Sequence, residues 1–287
     1  MHFVQAKGIL SQNNGMNIYR GCSHGCIYCD SRSKCYGFTH AFEDIEVKEN
    51  APELLEQALR SKRHKCMIGT GAMCDPYLPA EKELQLTRKC LELIDRYEYG
   101  VTVLTKSNLV LRDLDLLQSI HKKTKAVVQM TLTTYDENLC RKLEPNVSTT
   151  RERFEVLMRC KELGIPTLVW MTPILPFIND TRENIEGLLD YCLQAGVQGI
   201  LVFDVGVTLR EGDREYFYQA LDRDFPGIRQ KYVSTYGNAY DIPSPHTKEL
   251  MALIQNTCTA NGMLCSPKEC FTYLHEFPER YVQQTLF

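Results

Sequence analysis

The strongest constraint in this sequence is an alternation. Six short apolar, β-branched runs recur: Met16–Tyr19, Cys66–Thr70, Val101–Thr105, Ala126–Thr133, Pro166–Thr172 and Gly199–Val205. Stretches with helical periodicity lie between them. Runs that are almost wholly apolar fit parallel strands buried on both faces. Thr149 with Glu152, and Asp180 with Glu183, have capping-box spacing ahead of apolar helical patterns, and Asp180 is read as an N-cap. Gly100, Gly164 and Gly196 fall where helices should stop before the next strand. Strands alternating with helices predict an α/β fold, either a partial or closed barrel of six βα units or a doubly wound sheet. In each, the loops after the strands carry the chemistry. The alternation ends near Val207. Beyond it come a charged helix near Glu211–Arg223, a stretch with Tyr232, Tyr236 and Tyr240, and a helix near Ser244–Asn261. The expected division is a core over 1–206 and an extension over 207–287 packed on it.

Composition narrows the function. Hydrophobic residues make up 44% of the 287, enough for a sizeable core. Lys and Arg total 33 against 36 Asp and Glu, so the chain is not a strongly basic nucleic-acid coat. Its most basic run, Arg60–Lys65, precedes the second strand and should lie opposite the functional face. No apolar stretch approaches the ~18 residues of a membrane span. The 13 cysteines are odd in number, and no apolar leader opens the sequence. That favours reduced thiols in a cytoplasm over a disulfide framework. Cys66, Cys90, Cys140, Cys160 and Cys192 read as small core residues. Cys258, Cys265 and Cys270 form a looser group that could hold a second cluster only with a further ligand.

Three other cysteines stand apart. The segment Tyr19-Arg20-Gly21-Cys22-Ser23-His24-Gly25-Cys26-Ile27-Tyr28-Cys29-Asp30 follows the first strand, with C-x3-C-x2-C spacing. Gly21 and Gly25 permit the tight backbone that would gather Cys22, Cys26 and Cys29 around one metal centre. Three thiolates on a four-iron cluster leave one iron open to bind a ligand. The other reading is zinc, completed by Cys35, His24 or His40.

The motif C-x3-C-x-aromatic-C after a first strand resembles the radical S-adenosylmethionine (SAM) superfamily. The wider series is similar to the spore photoproduct lyase-like branch. It comprises Asn17-Ile18-Tyr19-Arg20-Gly21-Cys22, Cys74-Asp75-Pro76-Tyr77-Leu78-Pro79-Ala80-Glu81, Thr105-Lys106-Ser107, Thr131-Leu132-Thr133-Thr134, Glu144-Pro145 and Pro173-Ile174-Leu175-Pro176 with Asn179-Asp180. The resemblance spans roughly Met16 to Val205 and implies a partial (β/α)6 barrel with a C-terminal helical extension. It implies a 4Fe–4S cluster on Cys22, Cys26 and Cys29, and SAM cleaved by one electron to a 5′-deoxyadenosyl radical that takes a hydrogen atom from substrate. It also implies a reducing partner such as flavodoxin or ferredoxin. By the same pattern Tyr28 lines the adenine side, and the carbonyls of Gly71, Ala72 and Met73, with Asp75, accept from the SAM amino group. The family's Gly-Gly-Glu form of that loop is absent. Lys106 would face the SAM carboxylate. Thr131 and Thr133, two apart on one strand, would share a face toward the ribose or carboxylate. Cys74 lies near the place where spore photoproduct lyase keeps a hydrogen-donating cysteine, displaced by about two residues, and is the candidate donor.

The substrate stays open between a small molecule, a peptide and nucleic acid. Repair of a DNA photoproduct is one alternative, for which Arg229, Lys231 and the three tail tyrosines could contact phosphates and bases. A non-catalytic iron–sulfur or zinc-binding module is another.

Overall fold

The computed structural model describes residues 1–278. Its strands are β1 (His2–Val4), β2 (Gly15–Met16), β3 (Tyr19–Arg20), β4 (Glu46–Lys48), β5 (Met67–Thr70), β6 (Gly100–Thr105), β7 (Ala126–Thr131), β8 (Thr167–Trp170), β9 (Gly199–Leu201), β10 (Gly206–Thr208) and β11 (Asp241–Pro243). Six of them form one sheet in the order β2-β5-β6-β7-β8-β9, every neighbouring pair parallel. Helices connect them, as parallel strands require. This is the α/β fold of the sequence reading, an open six-unit barrel. Its central strand β7 is buried at all six positions, which is why it reads as a mostly apolar run without alternation.

The helix signals hold where a cap is actually made. Thr149 and Glu152 form the reciprocal capping box of the helix Thr150–Glu162. That helix buries Phe154, Val156, Leu157 and Cys160. Gly164 and Gly196 adopt the left-handed conformation just past their helices. Two expectations fail. The N-cap of the helix Arg182–Ala195 is Thr181, whose hydroxyl accepts from the Asn184 amide. Asp180 instead takes the hydroxyl of Ser244, a contact with the extension invisible to local spacing. Gly100 is not a helix stop but the first residue of β6, where a Cβ would lie 2.2 Å from the Met67 sulfur.

The first strand is also split. Met16 pairs with Thr70 in the barrel, but Tyr19 and Arg20 turn away to pair with β4 in a separate sheet, β1-β4-β3. The antiparallel β10-β11 ribbon has no signal in local sequence, since its partners are over thirty residues apart with two helices between them. In the extension the tyrosine-rich stretch is mainly a helix, Ile228–Tyr236, set between the helices Asp213–Asp224 and Thr247–Ala260. Leu264 covers the open barrel edge through hydrogen bonds from Ile200 and to Gln198. The extension also shares a core with the cysteine loop, where Cys26, Ile27 and Tyr28 pack with Phe217, Leu221, Tyr232 and Ile242. No described helix is long and apolar enough to cross a membrane.

Candidate active site

The loops after the barrel strands meet the β10-β11 ribbon around a cavity of about 700 Å³. Cys22, Cys26, Cys29, Tyr28, Gly71, Ala72, Met73, Cys74, Asp75, Lys106 and Thr131 all line it. Thr133 does not. β7 ends at Thr131, so the two-residue alternation does not reach Thr133, whose hydroxyl faces Thr134 and whose carbonyl accepts from Asn179 and Asn184.

The cysteine loop is shaped by backbone as much as by thiols. Gly21 and Gly25 have φ of +86° and +73°. A Cβ at Gly21 would sit 2.5 Å from the Phe42 carbonyl, which accepts from the Cys22 amide at 3.0 Å. Cys22 and Cys26 are buried and Cys29 nearly so. Burial raises the Cys26 and Cys29 thiols, while the Cys74 thiol beside Cys22 lowers Cys22 to about 6. The three sulfurs are not drawn together as one zinc would draw them: tetrahedral Zn–S bonds put thiolates about 3.8 Å apart. Among the described residues, one group of three or more potential ligands lies within 4.8 Å, and it is His2, His40 and Glu46. The zinc partners weighed from sequence are dispersed. His40 belongs to that separate group, exposed Cys35 takes a contact from Arg210 at 3.4 Å, and His24 faces Asp75 at 3.1 Å.

Asp75 is an organiser of the cavity wall. Its carboxylate accepts from the Tyr77 amide, the Thr105 hydroxyl and the Lys106 amide at 2.7–2.8 Å. Burial works against its charge, but His24 and these donors outweigh burial and hold it at about 2. With both oxygens engaged, the free acceptors in this loop are backbone carbonyls. Gly71 has φ +100°, and a Cβ there would be 1.9 Å from the Leu104 carbonyl. Gly71→Ala is therefore expected to cost about 3 kcal/mol or more through strain and overlap, checked by urea unfolding. A change under about 0.5 kcal/mol would contradict this loop geometry.

Opposite stands a buried charge network. Arg153 and Glu144 form an ion pair with no exposure on either side, and Tyr28 donates its hydroxyl to the same carboxylate. Arg153 also donates to the Thr131 carbonyl at 2.9 Å and the Ser148 carbonyl at 2.7 Å. The Lys106 ammonium lies 5.9 Å from the centre of the Tyr28 ring. Burial opposes its charge, but Cys26 and Glu144 keep it protonated. Cys74 is buried and donates its S–H to the Gly21 carbonyl at 2.7 Å.

Several lining residues escaped the sequence reading. His24 lies inside the cysteine motif, where spacing suggests a zinc ligand and not a partner for Asp75. Arg153, on the helix Thr150–Glu162, stands behind the cavity wall and reaches it through Glu144 and the Thr131 carbonyl. Trp170, Phe203, Arg210 and the segment 240–243 converge only through the tertiary fold. Of the tail tyrosines, Tyr232 is wholly buried and donates to the Pro176 carbonyl, so it cannot stack a base. Arg229 pairs with Asp222, and the Arg60–Lys65 run precedes β5 at the barrel's other end.

The family model of the radical SAM superfamily matches residues 16–192. An uncharacterized protein of Mycobacterium tuberculosis is 29% identical over 249 residues, 82% of this chain and 70% of that protein. One from Methanocaldococcus jannaschii is 34% identical over 169 residues, 58% of this chain and 62% of its own length. Spore photoproduct lyase complexed with a dinucleoside spore photoproduct superposes with a TM-score of 0.64 over 90% of this chain and 78% of that one, at 14% identity. That likeness is one of fold.

Proposed function

The chain belongs to the radical SAM superfamily, and on that premise we propose that it is an enzyme that reductively cleaves SAM and abstracts a hydrogen atom from a substrate. The observation that carries this is the set of three thiols of Cys22, Cys26 and Cys29 in the wall of one cavity, set wider than a single ion needs. A donor set of that kind fits a 4Fe–4S cluster with one open iron. When bound, the cluster and SAM together would supply a 5′-deoxyadenosyl radical.

This chain's residues would hold and shield that chemistry. Lys106 is charged and faces the thiols, so it balances their negative charge and attracts a carboxylate. Tyr28 presents a ring fixed by Glu144. The carbonyls of Gly71–Met73 are acceptors for an ammonium, a role Asp75 supports by fixing the loop. The β10-β11 ribbon closes one side against water. Cys74, with its thiol on the cavity, is our candidate for returning a hydrogen atom to a product radical. The cationic lining side chains are His24, Lys106 and Arg210, and Arg210 already contacts Asp30 and Tyr240. A phosphodiester backbone needs more than this, so a small molecule or short peptide is favoured over duplex DNA.

The test is anaerobic reconstitution with iron and sulfide, then incubation with SAM and dithionite. Methionine and 5′-deoxyadenosine should accumulate. Lys106→Met should weaken SAM binding about tenfold, the equivalent of about 1.4 kcal/mol. Protein with its full iron that binds no SAM would sink the proposal.

A further inference from the structure

The small β1-β4-β3 sheet carries a second cluster of ligand-type side chains. His2 on β1 and Glu46 on β4 are register partners on adjacent strands. His40 reaches them from the loop before β4. One nitrogen of each histidine and a Glu46 oxygen lie within 4.8 Å of one another. The His40 Nε2 to Glu46 Oε2 distance is 3.9 Å.

The hydrogen bonds around the two rings set their tautomers. His2 Nδ1 is 3.0 Å from the Asp44 carboxylate, and His40 Nδ1 is 2.9 Å from the Ala41 carbonyl. Both partners only accept, so both Nδ1 atoms carry the proton. In the neutral rings each Nε2 is then a lone pair. His40 Nε2 is buried and has no hydrogen-bond partner. The His40 Nε2 lone pair thus faces the Glu46 carboxylate, with the His2 ring 4.9 Å from the His40 ring, centroid to centroid. The cation opposite Glu46 across the sheet, Arg20, is turned onto the Tyr36 and Gly37 carbonyls at 2.9 and 3.1 Å. Lys48, two residues along β4, also feels Glu46 but is itself opposed by burial.

We infer that His2, His40 and Glu46 form a binding site for zinc, with Asp44 and the Ala41 carbonyl orienting the two imidazoles from behind. Three protein ligands with an open position suit Zn²⁺, and a carboxylate or carbonyl behind each histidine is how such ligands are fixed. Tetrahedral bonds of about 2.1 Å put ligand atoms about 3.4 Å apart, so binding would draw His40 and Glu46 together by about 0.5 Å and the other pairs by up to about 1.4 Å, a side-chain adjustment at a half-exposed sheet edge. The ion would tie β1 and β4 to the loop 38–44. That loop supplies the Phe42 carbonyl that holds the Cys22 amide, so the site braces the backbone beneath the first cysteine of the cavity.

The experiment measures zinc per chain by mass spectrometry after equilibration with zinc sulfate and gel filtration. It uses full-length protein without a histidine tag. The Cys22→Ala/Cys26→Ala/Cys29→Ala variant serves as a second background, free of the cavity thiols. About one zinc per chain is expected in both backgrounds. His40→Gln and His2→Gln should each weaken binding more than about a hundredfold, beyond what loss of an outer-shell partner costs. Zinc should raise the melting temperature of the parent and not of His40→Gln, with circular dichroism confirming that the variants fold. His2→Gln, at a half-exposed strand end, guards against a folding defect in the other. Zinc retained equally by both histidine variants, or lost with the three cavity thiols, would overturn the assignment.

Discussion

Cys26→Ala is expected to lower 5′-deoxyadenosine formation at least about 10³-fold, about 4 kcal/mol of barrier. A site with three thiolates has none to spare, and alanine offers no donor in a buried pocket. The charge balance changes too, because Cys26 is the foremost group keeping Lys106 protonated against burial. Iron per chain should fall in parallel. Cys90→Ala is the control: this thiol is wholly buried in the apolar core, and its loss should leave iron unchanged. Cys258, Cys265 and Cys270 give a sharper contrast. Cys258 and Cys270 are buried, Cys265 sits beside Cys258, and the three do not gather within 4.8 Å. If iron survived in Cys26→Ala but fell on replacing Cys258 or Cys270, the cavity would not be the cluster site.

Arg153→Met should destabilise the protein by about 3–5 kcal/mol, because it strands a buried carboxylate. Glu144 is fully enclosed, and the residue that neutralises it also satisfies the Thr131 and Ser148 carbonyls. Glu144→Gln should cost a similar amount by leaving the guanidinium unpaired. The double variant should cost less than the sum of the two, since each single change already breaks the same pair. Urea unfolding of all four proteins closes the cycle, and simple additivity would show the pair to be uncoupled. The pH dependence has a definite sign. Burial alone would raise the Glu144 carboxyl, but Arg153 and Lys106 hold it below its ordinary value of 4.5. A depressed carboxyl contributes stability fully above 4.5 and loses it as pH falls through the folded-state value. The wild type should therefore weaken in acid more steeply than Glu144→Gln, and equal slopes would refute the assignment.

The legible part of the fold was what repeats along the chain. Strands such as Ala126–Thr131 are buried on both faces, so all but Gln129, whose side chain accepts from the Trp170 indole, are apolar or small, and the run announces itself. The capping box at Thr149 and Glu152 satisfies amides within four residues of one another, so spacing alone finds it. Asp180 shows the limit of the same rule. Its neighbour Thr181 caps the helix while Asp180 meets Ser244, 64 residues away. Thr133 shows another: alternation predicts a face only as long as the strand lasts, and β7 stops two residues short.

The sequence by itself determined the α/β class, the six parallel strands and the three-cysteine loop, because each is written in local period or spacing. Only the tertiary structure decided what surrounds that loop. Arg153 under Tyr28, Asp75 against His24, the β10-β11 ribbon over the cavity and His2 beside Glu46 each join residues at least 33 positions apart. No local pattern encodes such pairings. They arise because burying the apolar faces of helices and sheet fixes where the remaining polar side chains must find one another.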